Sequence, residues 1–321
     1  MQEAPGTVVQ RPAEAPAATS APLPATRRTY AQKLAGMVRL MRPQQWTKNV
    51  FVLAGLVFAG RFLDTNSILR VVGAFAIFSL LSSAVYCMND VLDRERDRLH
   101  PKKRMRPLAS GLLTPTEGVG ASVLLALVGL AGAVELGRAM IAVSAAYLGL
   151  NVAYSFVLKH VPLWDALSVA GGFVLRAVAG TAVLAIPASP WLLVCTYLVA
   201  LYLSLGKRWS DSVQLNDAQR GYRRAAMLYD PGLVRLFMQT TMSATLISYA
   251  LYAVQGPHKP WMLVTLPFVI YGLFHYQHMV ETKALGGSPE SAIFQDRAFL
   301  ANGLAYAVTV LAVLILGRGG G

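Results

Sequence analysis

The chain is 321 residues long, with 55% hydrophobic and 14% charged residues, whereas soluble globular domains carry about 25% charged residues. That excludes an ordinary soluble domain and predicts a polytopic helical membrane protein. The formal net charge of +13 would suit nucleic acid, but the bases sit beside apolar spans and not on a soluble recognition domain, so no nucleic-acid partner is expected.

Residues 1–30 hold five prolines among many alanines and threonines and lack an apolar core of about 7–15 residues, which predicts a disordered tail and not a signal peptide. Residues 31–321 predict one all-α transmembrane domain. From Tyr30 to Arg42, Leu34, Met37, Val38 and Met41 recur at helical spacing among Lys33, Arg39 and Arg42, as in a helix lying along the membrane interface. Trp46 is a natural interfacial anchor. A spanning helix takes about 20 mostly apolar residues. Nine candidate spans follow, at about 47–64, 68–88, 115–135, 138–158, 164–186, 189–206, 233–254, 261–280 and 296–316. Cys87 and Cys195 fall inside spans with no metal or disulfide spacing, which points to apolar packing.

Lys and Arg gather before span one, between spans two and three, at Lys159, and from Lys207 and Arg208 to Arg220, Arg223 and Arg224. The opposite loops carry few. The positive-inside rule then puts the N-terminus and this basic face in the cytoplasm and the C-terminus outside, in a multi-pass protein of the cell inner (plasma) membrane. For the dispersed bases, topology and attraction to anionic lipid are an equally good account.

Three polar clusters interrupt the apolar pattern on that basic face. The first runs from Asn89 through Asp90, Asp93 and Asp97. If it continues a helix, spacings of three, four and seven put the three carboxylates on one face. Such carboxylates repel one another, and a hard divalent cation such as Mg²⁺ relieves the repulsion while keeping positions open for substrate phosphates. The nearby Arg94, Arg96, Arg98, Lys103, Arg104 and Arg106 suit an anionic substrate.

The second cluster is Tyr154 to Lys159, with Asp165 and Arg176 beyond. Asp165 opens span five, where it could add a carboxylate to the metal site or cap the helix. Arg176 lies near mid-span, where an ionisable group is costly, so a polar cavity with a carboxylate or a ligand phosphate is expected around it. The third cluster is Lys207, Arg208 and Asp211. Alone it would read as an ordinary basic loop; with the other two it suggests a shared polar chamber.

The order of these elements resembles the UbiA superfamily of intramembrane prenyltransferases. Within it the closer likeness is to the decaprenyl-phosphate phosphoribosyltransferases, carried by Arg42-Pro43-x-Gln45-Trp46-x-Lys48-Asn49-Val50, His100-Pro101-x-Lys103-Arg104-x-Arg106-Pro107, Leu158-Lys159-His160, Leu175-Arg176-Ala177, Gly206-Lys207-Arg208 and Asp296-Arg297. The resemblance implies a UbiA-like bundle and Mg²⁺-dependent transfer of 5-phosphoribose from phosphoribosyl diphosphate to a polyprenyl phosphate, with release of diphosphate. In actinobacteria that product leads to the arabinose donor of the cell wall.

Carried over, Asn89, Asp90, Asp93 and Asp97 would hold the metal, and Asp90, Asp93, Lys159 and Asp165 would be catalytic. Lys48, Asn89, Lys103, Arg104, Arg106, Tyr154, Arg176, Lys207 and Arg208 would bind substrate. Asp165 is the only carboxylate between Lys159 and Arg176, where many prenyltransferases carry a second aspartate pair. Prenyl transfer to an aromatic acceptor is the alternative. A transporter with the aspartates as an ion path is a remote one, since they adjoin a basic loop and not mid-span. Oligomeric state is open.

Overall fold

A computed structural model describes residues 29–101, 103–214, 230–256, 260–283 and 296–316. The expected tail, except Thr29 and Tyr30, and the bases Arg220, Arg223 and Arg224 lie outside the described residues. Among those described the fold is helical without strands. Five helices are long and apolar enough to cross a membrane: Thr65–Leu92, Pro115–Leu136, Arg138–His160, Pro190–Val213 and Arg297–Leu316. This is a multi-pass membrane protein. Of the nine expected spans, these five meet the criterion by length and composition.

Helix α1 (Tyr30–Met41) starts at Thr29, whose hydroxyl accepts from Gln32 N while the Gln32 side chain accepts from Thr29 N, a capping box. It does more than lie at the interface, because Leu40 is buried with Cys87, Leu108 and Leu113. Its other face leaves Tyr30, Leu34 and Val38 exposed. A 3₁₀ stretch, Pro43–Val50, leads into the short helix α2 (Phe51–Phe58). Proline at its first position fits, since no N–H is needed there.

Helix α3 (Thr65–Leu92) is capped by the Asp64 carboxylate, which accepts from Asn66 N and Ser67 N. The bonds from Ser67 hold that carboxyl below its usual range. Next come α4 (Arg94–Leu99), α5 (Pro115–Leu136), α6 (Arg138–Phe156), α7 (Trp164–Ala182), α8 (Pro190–Gln214), α9 (Pro231–Gln255), α10 (Leu266–Lys283) and α11 (Arg297–Leu316).

One apolar cluster joins α2, α3, α5, α6 and α7 around Phe78, Leu81 and Tyr147. A second joins α7 to α8, α9 and α10 around Tyr202, Met238 and Tyr276. Helix α7 thus belongs to both. It meets α2 main chain on main chain: a β-carbon on Gly180 would lie 2.0 Å from Val52 O, and one on Gly55 would lie 2.7 Å from Gly180 C. Small residues allow such close crossings where lipid supplies no hydrophobic drive. At one end of the bundle Arg70 donates to Val183 O and Leu136 O, so one guanidinium serves the last carbonyls of α7 and α5. The opposite end carries the aspartates.

Candidate functional site

Helix α3 stops at Leu92, and Asp93 (φ −92°, ψ 4°) separates it from α4. The continuous helix that would align three carboxylates is therefore interrupted, and the carboxylates divide between two sets of cations. Arg106 Nη1 donates to Asp90 Oδ1 at 3.0 Å and to Asp97 Oδ2 at 2.6 Å, and Lys103 Nζ lies 3.8 Å from Asp97 Oδ1. Asp93 faces Lys159 Nζ at 3.3 Å and Arg96 Nη1 at 3.8 Å. Asn89 Oδ1 accepts from Ser155 Oγ at 2.6 Å.

Each position follows from local structure. The turn at His100-Pro101 and the 3₁₀ turn Lys103–Met105 fold the chain back so that Lys103 meets Asp97, six residues earlier, and Arg106 meets Asp97 and Asp90, nine and sixteen residues earlier. Lys159 sits on the 3₁₀ turn Leu158–His160 that closes α6. Asp90 and Asp97 are buried, at 3% and 2% exposure, and a buried carboxylate is costly unless ion-paired and hydrogen-bonded. Here both are.

The sequence placed Arg42 in the interfacial helix, among the bases before span one and in a motif, but not in the site. Its Nη2 donates to Asp90 Oδ1 at 2.5 Å and its guanidinium lies 5.1 Å above the Tyr86 ring. The signal was an arginine directly before proline, at the end of a helix and beside a span.

Of the second cluster, Ser155 and Lys159 thus meet the first, while Asp165 and Arg176 have other partners. Asp165, 1% exposed, lies in the first turn of α7, and its Oδ2 is 2.5 Å from Arg208 Nε; Arg208 Nη1 is 3.9 Å from Asp211 Oδ2. Asp165 thus ties α7 to α8 and meets a base, not the aspartates of α3 and α4. Arg176, 5% exposed, has no carboxylate beside it among the described residues. It donates from Nε to Asn49 Oδ1 at 2.7 Å, from Nη1 to Gly172 O and from Nη2 to Tyr147 OH at 2.9 Å, between the rings of Tyr147 and Phe173. Eleven residues of helix at about 1.5 Å each place it about 16 Å from the level of Asp165. Of the expected chamber, the structure joins the first cluster to Lys159 and Asp165 to the third cluster, and it sets Arg176 apart at mid-bundle. Lys48, Tyr154 and Lys207 are half-buried and Arg104 is exposed.

Among the described residues no three His, Cys, Asp or Glu side chains converge closely enough to hold a metal by themselves. The donors at the acidic end are nonetheless hard oxygens, and Mg²⁺ commonly takes one or two carboxylates and completes its shell with water and substrate phosphate. By donor chemistry the residues fit Mg²⁺ bound together with a phosphorylated substrate.

The model of the UbiA prenyltransferase family matches residues 49–316. The decaprenyl-phosphate phosphoribosyltransferase of Corynebacterium glutamicum is 34% identical over 292 residues, 88% of this chain and 87% of that protein. The protein of the same name from Mycobacterium tuberculosis is 34% identical over 294 residues, 89% of this chain and 97% of that protein. A UbiA homolog from Archaeoglobus fulgidus, solved bound to GPP and Mg²⁺, superposes with a TM-score of 0.70 at 18% identity, covering 87% of this chain and 99% of that one.

Proposed function

The chain belongs to the UbiA prenyltransferase family, and from that premise we propose that this transferase moves 5-phosphoribose from phosphoribosyl diphosphate to a polyprenyl phosphate, decaprenyl phosphate by analogy with its relatives, releasing diphosphate. The observation that carries the reading is the charge of the acidic end. Asp90, Asp93 and Asp97 are met by Arg42, Arg96, Arg106, Lys103 and Lys159, five cations to three carboxylates. That surplus, with Mg²⁺, suits two phosphorylated substrates better than a prenyl diphosphate and a neutral aromatic. The relatives' names support the same choice.

In the reaction the bond from the ribose anomeric carbon to the diphosphate oxygen breaks, its electron pair leaves with the diphosphate, and an oxygen of the lipid phosphate bonds to the carbon. Bound at Asn89, Asp90, Asp93 and Asp97, Mg²⁺ would neutralise diphosphate charge. Arg106, Lys103 and Lys159 stand where they can turn from carboxylate to phosphate oxygens as charge grows on the leaving group, and fixed cations are most effective there. The acceptor phosphate is already anionic at neutral pH, with a second pKa of about 6, so no general base is required. Lys207 and Arg208 are candidates for its headgroup.

A cavity of about 310 Å³, lined by Phe51, Phe58, Trp191, Tyr249, Tyr252 and Tyr306, suits a segment of the hydrocarbon tail. The acidic end faces the cytoplasm of the plasma membrane in this reading, where the charged donor is soluble. The test is transfer of labelled phosphoribose to decaprenyl phosphate by purified protein with Mg²⁺, beside prenyl diphosphates with aromatic acceptors. A labelled lipid that needs Asp90 supports the proposal. Prenylation alone would reassign the donor to a prenyl diphosphate, the second reading that the family's name favours.

A further inference from the structure

On α3, Ser79, Ser83, Tyr86 and Asp90 follow at spacings of four, three and four, the pattern of one helix face. Each meets the chain from 42 to 49, which runs past in the opposite sense. Ser79 Oγ accepts from Asn49 Nδ2 at 3.0 Å, and Ser83 Oγ accepts from Trp46 Nε1 at 3.0 Å. Arg42 covers the Tyr86 ring and donates to Asp90. Ser83 Oγ also lies 2.9 Å from Met41 O, which fixes the residue just before Arg42. Behind the lowest rung stands Arg176, donating to Asn49 Oδ1.

The upper end of this ladder is strained. Arg42 has left-handed backbone, φ 53° and ψ 61°, a conformation that non-glycine residues keep only where their surroundings over-determine it. Three rungs and a brace supply that constraint. The residue so held is an arginine, and its guanidinium carries five N–H groups in a planar fork that matches phosphate oxygens. Arg42 and Arg106 both donate to Asp90 Oδ1, so two guanidinium groups converge on one carboxylate oxygen, and with Lys103 beside Asp97 three cations face two carboxylates and leave positive charge for a polyanion.

We infer that Arg42 binds the diphosphate of the donor and that Asn49, Ser83 and Arg176 are positioning residues acting through it. The donor named here rests on the phosphoribosyl-transfer reading; the ladder does not. Counting back from Asp90, Ser83 is seven and Ser79 eleven residues along α3, about 10 and 16 Å, so neither lower rung is expected to touch the diphosphate.

The experiment is a double-mutant cycle in the full-length protein, reading KM for donor and acceptor separately, kcat, and the melting temperature in detergent. Arg42→Ala raises the donor KM about tenfold or more, the loss expected for a charge-assisted bond, with acceptor KM unchanged. Arg42→Lys restores part of it, because a point charge lacks the fork. Asn49→Ala and Ser83→Ala shift the donor KM in the same direction, and Arg42→Ala with Asn49→Ala is no worse than Arg42→Ala alone.

Effects that multiply, an acceptor KM that moves as much as the donor KM, or a folded Ser83→Ala protein with unchanged donor KM would overturn the inference. If Asn49→Ala melts below the assay temperature, the same cycle run with Ser83→Ala decides. A wild-type chain that prenylates but makes no phosphoribosyl lipid defeats the proposed function only. The cycle repeated with prenyl diphosphate as donor then still decides the ladder.

Discussion

Asp90 and Arg176 are both charged, both nearly sealed from solvent, and neutralised in opposite ways. Around Asp90 the partners are ions delivered by separate segments: Arg42 from the end of α1 and Arg106 from the loop after α4. Around Arg176 they are dipoles: an amide, a phenol and a helix carbonyl. Ionic partners can be exchanged for a ligand's ions with modest change in local charge, whereas a guanidinium set among neutral groups has nothing to exchange. The acidic end is thus suited to chemistry, and the mid-bundle arginine to holding the Pro43–Val50 stretch, α6 and α7 in place.

The sharpest way to break that contrast is at the acidic end. Asp90→Ala or Asp93→Ala should cut Mg²⁺-dependent turnover by at least about a hundredfold, the scale for losing a group that stabilises developing charge, with the protein still present in the membrane fraction. Normal turnover by either variant would remove the metal assignment. At the other centre Arg176→Met should cost about 2–6 kcal/mol, because Asn49 Oδ1 and Tyr147 OH each lose a partner at about 1–3 kcal/mol. The loss should appear as a lower melting temperature, with the folded fraction keeping far more activity than the aspartate variants. If Arg176→Met melts like the wild type yet is inactive, Arg176 returns to the substrate site, as the sequence suggested.

A packing substitution sharpens the frame half of the comparison. Gly180→Ala places a β-carbon against Val52 O and should cost about 1–3 kcal/mol of stability, measured as a shift of the melting curve. The smallest effect should come from Lys33→Ala. Its pair with Glu117 spans 2.7 Å between half-exposed side chains, and such pairs contribute about 0–1 kcal/mol. A large loss there would mean that α1 is held to α5 by charge and not by burial of Leu40.

Much of this was legible in the sequence because it is local. The aspartate spacing, the bases at 103–106 and Lys159 all announce themselves within a few residues of a span end, and the structure brings Asp90, Asp97, Lys103 and Arg106 together. The turn at Asp93 was not legible, since no glycine or proline marks it between Asn89 and Leu99, and the backbone bonds from Asp93 N to Asn89 O and Asp97 N to Asp93 O carry the helical pattern past it. Nor was the surrounding of Arg176, whose partner Asn49 lies 127 residues away. No periodicity reports that pairing. Arg42 was hidden for another reason: its role depends on a left-handed backbone, which composition and spacing do not encode.

Among the described residues three non-glycines have positive φ, Arg42, Leu163 and Ala185. Glycine would relieve about 1–2 kcal/mol of strain at each, against roughly 0.5–1 kcal/mol of added chain entropy in the unfolded state. A search for thermostable variants that scored only melting temperature would therefore accept glycine at 163 and 185. At 163 and 185 it would gain a sturdier protein. At 42 glycine would relieve the same strain but withdraw a guanidinium from the buried Asp90, a larger loss because a buried ion pair is broken, so there the strained arginine serves robustness and turnover together.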